Sequence, residues 1–191
     1  MTEQKKFLEK LISILETAGI PYAVCGSLSS SLHGQPRATN DADIIIAPTQ
    51  DQLSKLLKSL ETSCYVSSEA AFEAMRIRSM FNVIDNETGY KADLIFRKDS
   101  PHQLSEFNRR IKATLMGIEL WILSPEDVIL SKLDWAKSSG SDLQLRDVFG
   151  VIKLQWNKLD LNYLRQWAKQ LGVEKTLEDV IKEVWKLRGA G

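Results

Sequence analysis

The sequence predicts an α/β (α+β) fold, a small mixed β-sheet flanked by helices and followed by a C-terminal part that is helical only. Short apolar runs, such as Tyr22 to Cys25, Ile44 to Ile46, Met80 to Ile84 and Tyr90 to Phe96, alternate with helix-periodic stretches over the first two thirds of the chain. From Ser124 onward only helical periodicity remains. The length, 191 residues, suits one domain, or one domain with an appendage. We therefore expect an α/β domain over residues 1–123 and a helical part over residues 124–191.

Phe7, Leu8, Leu11, Ile12, Leu15 and Ala18 recur at three- and four-residue steps, which predicts an amphipathic helix over 3–18 that Gly19 ends. A short buried strand over Tyr22 to Cys25 leads into a short helix, Ser27 to His33, stopped by Gly34. Gln35 to Asn40 is a polar loop that delivers the chain to a strand opening at Asp41. Pro48 and Thr49 break that strand, and Leu53, Leu56, Leu57 and Leu60 mark the inner face of a helix over 51–60. Ser67 and Ser68 supply a cap for a helix that reaches about Arg78. Met80 to Ile84 and Tyr90 to Phe96 form a hairpin around the turn-rich 85–89. Pro101 to Arg110 is helical, and Thr114 to Gly117 turns the chain into a last strand, Ile118 to Leu123. Ser124-Pro125-Glu126-Asp127 combines a capping Ser, Pro in the first turn and acids near the positive helix end. The helix it starts runs to about Lys137. Three more follow, at 142–154, 160–170 and 176–187.

Composition excludes several classes. The chain carries 25 Lys+Arg against 25 Asp+Glu, so no broad basic field favours non-specific nucleic-acid binding. Cys25 and Cys64 have no CxxC context, which argues against a disulfide framework or a zinc site. The N-terminus mixes charges with apolar residues, unlike a signal peptide, and no apolar stretch is long enough to span a membrane. The expected location is the cytoplasm, with no membrane partner.

Two features carry chemistry. Asp41 and Asp43 stand two apart at the head of the strand Ile44 to Ile46, so both side chains point to one side. Two like charges placed side by side cost stability unless a cation lies between them. Mg²⁺ suits that position, because it takes hard oxygen ligands from carboxylates and substrate phosphates. A third carboxylate, Asp93, sits among Ala92 and Leu94-Ile95-Phe96 and needs a partner there. The second feature is Gly26-Ser27, at a strand-to-helix turn. Gly removes the side-chain obstruction, and a helix N-terminus favours anions, so backbone N–H groups can approach a polyphosphate. Carboxylates that hold two metal ions about 4 Å apart, beside such a turn, are the parts of phosphoryl and nucleotidyl transfer.

Gly26-Ser27, then Asp41-x-Asp43, then a distant Asp93 on a strand resembles the DNA polymerase beta-like nucleotidyltransferase superfamily. Arg37-x-Thr39-x-Asp41-x-Asp43, Phe81-Asn82-Val83-Ile84-Asp85, Lys91-Ala92-Asp93-Leu94-Ile95, Ser124-Pro125-Glu126-Asp127, Lys132-Leu133 and Arg146-Asp147 extend the likeness over nearly the whole chain. It is closest to uncharacterised bacterial proteins grouped with abortive-infection type nucleotidyltransferase toxins. The resemblance implies a Mg²⁺-dependent enzyme, with two ions, that moves an NMP from an NTP to an acceptor hydroxyl and releases pyrophosphate. It implies Asp41, Asp43 and Asp93 as metal ligands, with Asp93 also helping to deprotonate the acceptor. Gly26 and Ser27 would hold the β- and γ-phosphates, with Arg37, Lys132 and Arg146 as basic groups toward the nucleotide. The implied acceptor is tRNA or protein in a toxin-like role, with an antitoxin protein as partner, or alternatively a small molecule of antibiotic type. Ser27-Leu28-Ser29 departs from relatives that have a second Gly there.

Each residue has a plainer alternative. Asp41 and Asp43 can be a solvated strand start, and Asp93 can pair with Lys91 or Arg97 on a sheet edge. Arg37 can be an ordinary loop residue. Lys132 and Arg146 can tie to Asp134 or Asp147 in structural salt bridges, and that role is the one expected of Asp147. Arg109, Arg110 and Lys112 read as a solvated basic face, and the five Trp residues as packing anchors. A non-catalytic nucleotide-binding or partner-binding module is the competing class, although such a module has no need of the third carboxylate.

Overall fold

The structure is a computed structural model that describes residues 2–189. The chain divides into two compact units. One comprises residues up to Cys25 together with Ala38–Ile122, and the other comprises Gly26–Arg37 together with the chain from Leu123 onward.

The first unit is built on a mixed sheet of seven strands in the order β3-β4-β5-β2-β1-β7-β6. The strands are β1 (Tyr22–Val24), β2 (Asp41–Ile46), β3 (Cys64–Tyr65), β4 (Met80–Asp85), β5 (Lys91–Phe96), β6 (Ile111–Leu115) and β7 (Ile118–Ile122). β2 runs parallel to β5 and antiparallel to β1, and β1 runs parallel to β7. Four helices belong to this unit: α1 (Glu3–Thr17), α3 (Gln50–Leu60), α4 (Ser68–Ile77) and α5 (Pro101–Asn108). Thr2, Thr49, Ser67 and Ser100 cap them through their side-chain oxygens, which satisfies N–H groups that a helix start leaves open.

Alternation along the central strands separates two faces. Ala42, Ile44 and Ile46 of β2 are buried, while Asp41, Asp43 and Ile45 between them are less so. Burying the apolar set decides the strand register, because a slip of one residue would exchange the faces. The same choice commits the two aspartates to the opposite face. Two strands stand outside the expectation, the short β3 and a longer one at the other edge of the sheet. Residues 111–115 form a strand, and the chain reverses through Met116 and Gly117, both with positive φ. Positive φ at both central residues suits a two-residue hairpin, since its twist matches that of the strands. The sequence hides this strand because it lies on the sheet edge, where Ile111, Lys112 and Thr114 are exposed.

The second unit is helical: α2 (Gly26–His33), α6 (Pro125–Ser139), α7 (Asp142–Gln155), α8 (Leu161–Leu171) and α9 (Glu174–Gly189). The expectation of one boundary near residue 123 leaves Gly26–Arg37 with the sheet, whereas the structure groups it with the C-terminal helices. The reason is packing. α2 lies on α6 and α7 and buries Leu28, Ser29, Ser30 and His33. Gly34 and Gly150 allow the close approach, since a Cβ on Gly34 would meet the Val151 N at 2.8 Å and a Cβ on Gly150 the Gln35 N at 3.2 Å. Gln155 donates to the His33 carbonyl at 3.0 Å. Of the tryptophans, Trp167 is buried, but Trp135 and Trp185 are exposed and do not anchor the core.

The His33 ring nitrogen Nε2 lies 2.8 Å from the Leu123 carbonyl, which can only accept, so Nε2 carries the proton. Burial pushes this imidazole below its ordinary value of 6.5, against the raising effects of the Leu123 carbonyl and the Glu126 charge. The unfolded chain therefore binds a proton that the folded chain resists. Stability should be complete above pH 6.5 and fall as the pH drops through that value toward the lower folded one. Urea unfolding midpoints measured from pH 8 to pH 5 should show this decline, and His33→Gln should flatten it.

Candidate active site

The sheet brings together the three predicted carboxylates. β2 and β5 are adjacent and parallel, with Asp43 opposite Asp93 and Asp41 opposite Lys91. Alternation then sets Asp41, Asp43, Lys91 and Asp93 on one face. The hydroxyl of Thr39 accepts from the Asp41 N–H at 3.4 Å and holds the start of β2, while Cys25 N–H donates to the Asp43 carbonyl at 2.9 Å. Asp93 is buried, whereas the Asp41 side chain is half exposed. β5 lies inside the sheet, so Asp93 is not an edge residue. Of its two suggested partners, Lys91 pairs with it and Arg97 turns instead to Asp99, at 3.1 Å.

The Lys91 ammonium lies 3.2 Å from Asp93 Oδ1 and 3.9 Å from Asp41 Oδ2. Burial lowers its proton affinity, but the hydrogen bond to Asp93 and the charges of Asp93, Asp41 and Asp43 outweigh this and hold it above the ordinary lysine value. Asn82, in register with Asp93 on β4, donates its amide to the same carboxylate. Among the described residues, no three His, Cys, Asp or Glu groups lie at a spacing that holds a metal ion. The donor set is nonetheless one that hard divalent cations choose, three carboxylates on one face. A cationic group of the protein already lies among them.

The second unit assembles most of the predicted basic groups. Gly26, with φ +58°, opens α2, and the Ser27 hydroxyl accepts a hydrogen bond from the Arg37 Nη2. Arg37 Nε also donates to Asp147 Oδ1 at 3.2 Å. Asp147 Oδ2 takes the Lys132 ammonium at 2.8 Å and the Ser30 hydroxyl at 3.1 Å. Burial would raise the Asp147 carboxyl, but Lys132 and Arg37 hold it below the usual carboxylate range. Two cations thus share one carboxylate. Asp147 thus has the structural role expected of it, and through Arg37 it reaches Ser27. Arg146, its neighbour in sequence, is not in this network. It lines a separate cleft of about 670 Å³ with Gln35, Asp142, Phe149, Asp179 and Glu183. Of the expected solvated basic face, Arg110 stacks instead on Phe107 and Trp121, 4.4 and 5.1 Å from their ring centroids.

Sequence reasoning named Lys91 as a partner of Asp93, a same-face neighbour two residues away on a strand, but missed two contributors. Asn82 depends on hairpin register and Ser30 on helix packing, and neither leaves a sequence signal.

A family model described as nucleotidyltransferase of unknown function (DUF6036) matches residues 3–182, nearly the whole chain. The chain belongs to that family. None of the curated proteins compared with this nucleotidyltransferase matches it in sequence. Among solved structures it is similar to an antigenic nucleotidyltransferase-like protein from Paracoccidioides brasiliensis, with TM-score 0.60 and 18% identity over 94% of this chain and 92% of that one. The antibiotic-resistance factor ANT(2'')-Ia aligns with TM-score 0.56 and 10% identity over 98% of each chain. The lincosamide antibiotic adenylyltransferase LnuA, in its lincomycin-bound structure, aligns with TM-score 0.52 and 15% identity over 79% of this chain and 96% of that one. At these identities the likeness shows the fold, a nucleotidyltransferase sheet with its helices.

The Asp147 cluster makes a stability prediction. Asp147→Ala removes the counter-charge of Lys132, whose side chain is 5% exposed, and should cost about 3–5 kcal/mol, the scale for breaking a buried ion pair. Adding Lys132→Met should recover most of that loss, and a urea-unfolding double-mutant cycle measures both.

Proposed function

We propose that the protein transfers an NMP unit from an NTP to an acceptor hydroxyl, releasing pyrophosphate, with Mg²⁺ held by Asp41, Asp43 and Asp93. The observation that carries this reading is the pairing of Asp43 with Asp93 across adjacent parallel strands, with Asp41 on the same face. A protein that only bound nucleotides would gain nothing from crowding a buried third carboxylate beside two others. When bound, divalent cations would draw negative charge from the phosphates and the leaving group.

The chain's own residues supply the rest. Gly26 presents backbone without a Cβ at the start of α2, the arrangement that admits a phosphate to N–H groups. Ser27 and Arg37 bind the β- and γ-phosphates, and Asp147 and Lys132 hold Arg37 in place for that task. Arg146 is the remaining basic group assigned to the nucleotide. Asp93 Oδ takes the proton of the acceptor hydroxyl as the new O–Pα bond forms and the bond to the pyrophosphate breaks. Asn82 orients that carboxylate. The acceptor is tRNA, protein or a small molecule. The toxin-like variant, with an antitoxin partner, rests on the family resemblance, and the small-molecule variant on the fold shared with two proteins named for antibiotics. The site of action is the cytoplasm. Among the described residues no helix is long and apolar enough to cross a membrane.

Incubation with each α-labelled NTP and Mg²⁺, offering total cell RNA, cell protein, aminoglycosides and lincosamides in turn, should label one acceptor class. Asp93→Ala and Asp43→Ala should each reduce transfer roughly 100-fold or more, the scale of a lost catalytic base or ligand. Tight NTP binding with no transfer to any acceptor would instead establish a binding module. Separately, saturating Mg²⁺ and NTP should stabilise the wild type by about 2.7 kcal/mol at 100 times Kd. Asp41→Asn should lose most of the corresponding rise in Tm, and an unchanged rise would remove Asp41 from the ligand set.

A further inference from the structure

We propose that Lys91 is an internal counter-cation of the acid cluster, which offsets part of its negative charge in the metal-free protein and must leave for a divalent cation to enter. The inference rests on the metal reading of Asp41, Asp43 and Asp93. Its own evidence is the position of the ammonium, 3.2 and 3.3 Å from the two oxygens of Asp93 and 3.9 Å from Asp41 Oδ2. On the metal reading, these are the oxygens that would hold the ion. An ammonium donates to carboxylate oxygens, and a metal ion withdraws electron density from the same lone pairs, so the two compete for one set of donors. Two cations within contact distance of each other also repel, and only one of them is free to diffuse away.

The sheet explains why the competitor is built in. Lys91 is the register partner of Asp41 and stands two residues before Asp93 on β5. Its backbone is held in the ladder, so a strand position supplies one positive charge to the acidic face at all times. Without it, three carboxylates would face one another across two strands. The cost of that repulsion falls on the part of the sheet that the function uses. The departure is also easy: the side chain is 35% exposed and sits on a flexible four-carbon stem. Lys91 therefore trades metal affinity for stability of the empty acid cluster, and the two quantities should change in opposite directions when its charge is removed.

The test measures Mn²⁺ binding to the nucleotide-free protein by the EPR signal of free Mn²⁺, with thermal unfolding in EDTA as a second readout. Lys91→Met, which keeps the length and removes the charge, should bind Mn²⁺ roughly three- to tenfold more tightly than wild type, the scale of one or two partly exposed ion pairs. Its Tm in EDTA should fall, and its rise in Tm on adding Mn²⁺ should exceed that of wild type. Lys91→Arg, which keeps the charge, should stay near wild type in affinity. Equal or weaker Mn²⁺ binding by Lys91→Met, with Asp93→Asn still abolishing binding in the wild-type background, overturns the role of Lys91 and leaves the metal site standing. Absence of Mn²⁺ binding in every form overturns the metal reading and this inference with it.

Discussion

The structure depends on the parallel pairing of β2 with β5. That ladder buries Ala42, Ile44, Ile46, Ala92, Leu94 and Phe96 on one face. By alternation it crowds Asp41, Asp43 and Asp93 on the other. The hydrophobic gain and the electrostatic cost are inseparable, because a register that buries the isoleucines cannot keep the carboxylates apart. Lys91 and Asn82, both brought in by the same sheet, offset part of that cost. The function proposed for this face lies where the fold is under electrostatic load, which is where a charged ligand has most to gain by binding.

The helical unit shows the converse arrangement. There two cations, Arg37 and Lys132, converge on Asp147, with Ser27 and Ser30 as hydrogen-bonding neighbours. The Lys132–Asp147 pair within this network is buried and therefore costly to break from either side. The network leaves Arg37 bridging Ser27 to the helix that carries Asp147. A residue of the loop before β2 is thus oriented by a residue more than a hundred positions later. Gly34 and Gly150 make that possible by letting backbone approach backbone, which a Cβ at either position would block or crowd.

Membership of a nucleotidyltransferase family and the shared fold agree with the chemistry that these two groups of residues offer. The carboxylate face has the chemistry that suits cations, and the start of α2 has the chemistry that suits anions. The acceptor has left no comparable mark. Recognition of a nucleotide reuses a few charged groups at short spacing, whereas an acceptor is read by the shape of a surface.

By itself, the sequence determined the fold class, most of the elements and the three carboxylates. Those depend on local physics: the periodicity of apolar residues, Ser and Pro at helix starts, and the two-residue step that puts Asp41 and Asp43 on one side of a strand. The sheet-edge reading of Asp93, the hidden strand β6 and the placement of Gly26–Arg37 show where local physics stops. Strand order, the pairing of Asp43 with Asp93 and of Asn82 with Asp93, and the choice of Asp147 over Asp134 as the partner of Lys132 were decided only by tertiary structure. Each depends on which distant segments share a ladder or a helix interface. That choice is made by burial of the whole apolar set and not by any residue's immediate neighbours.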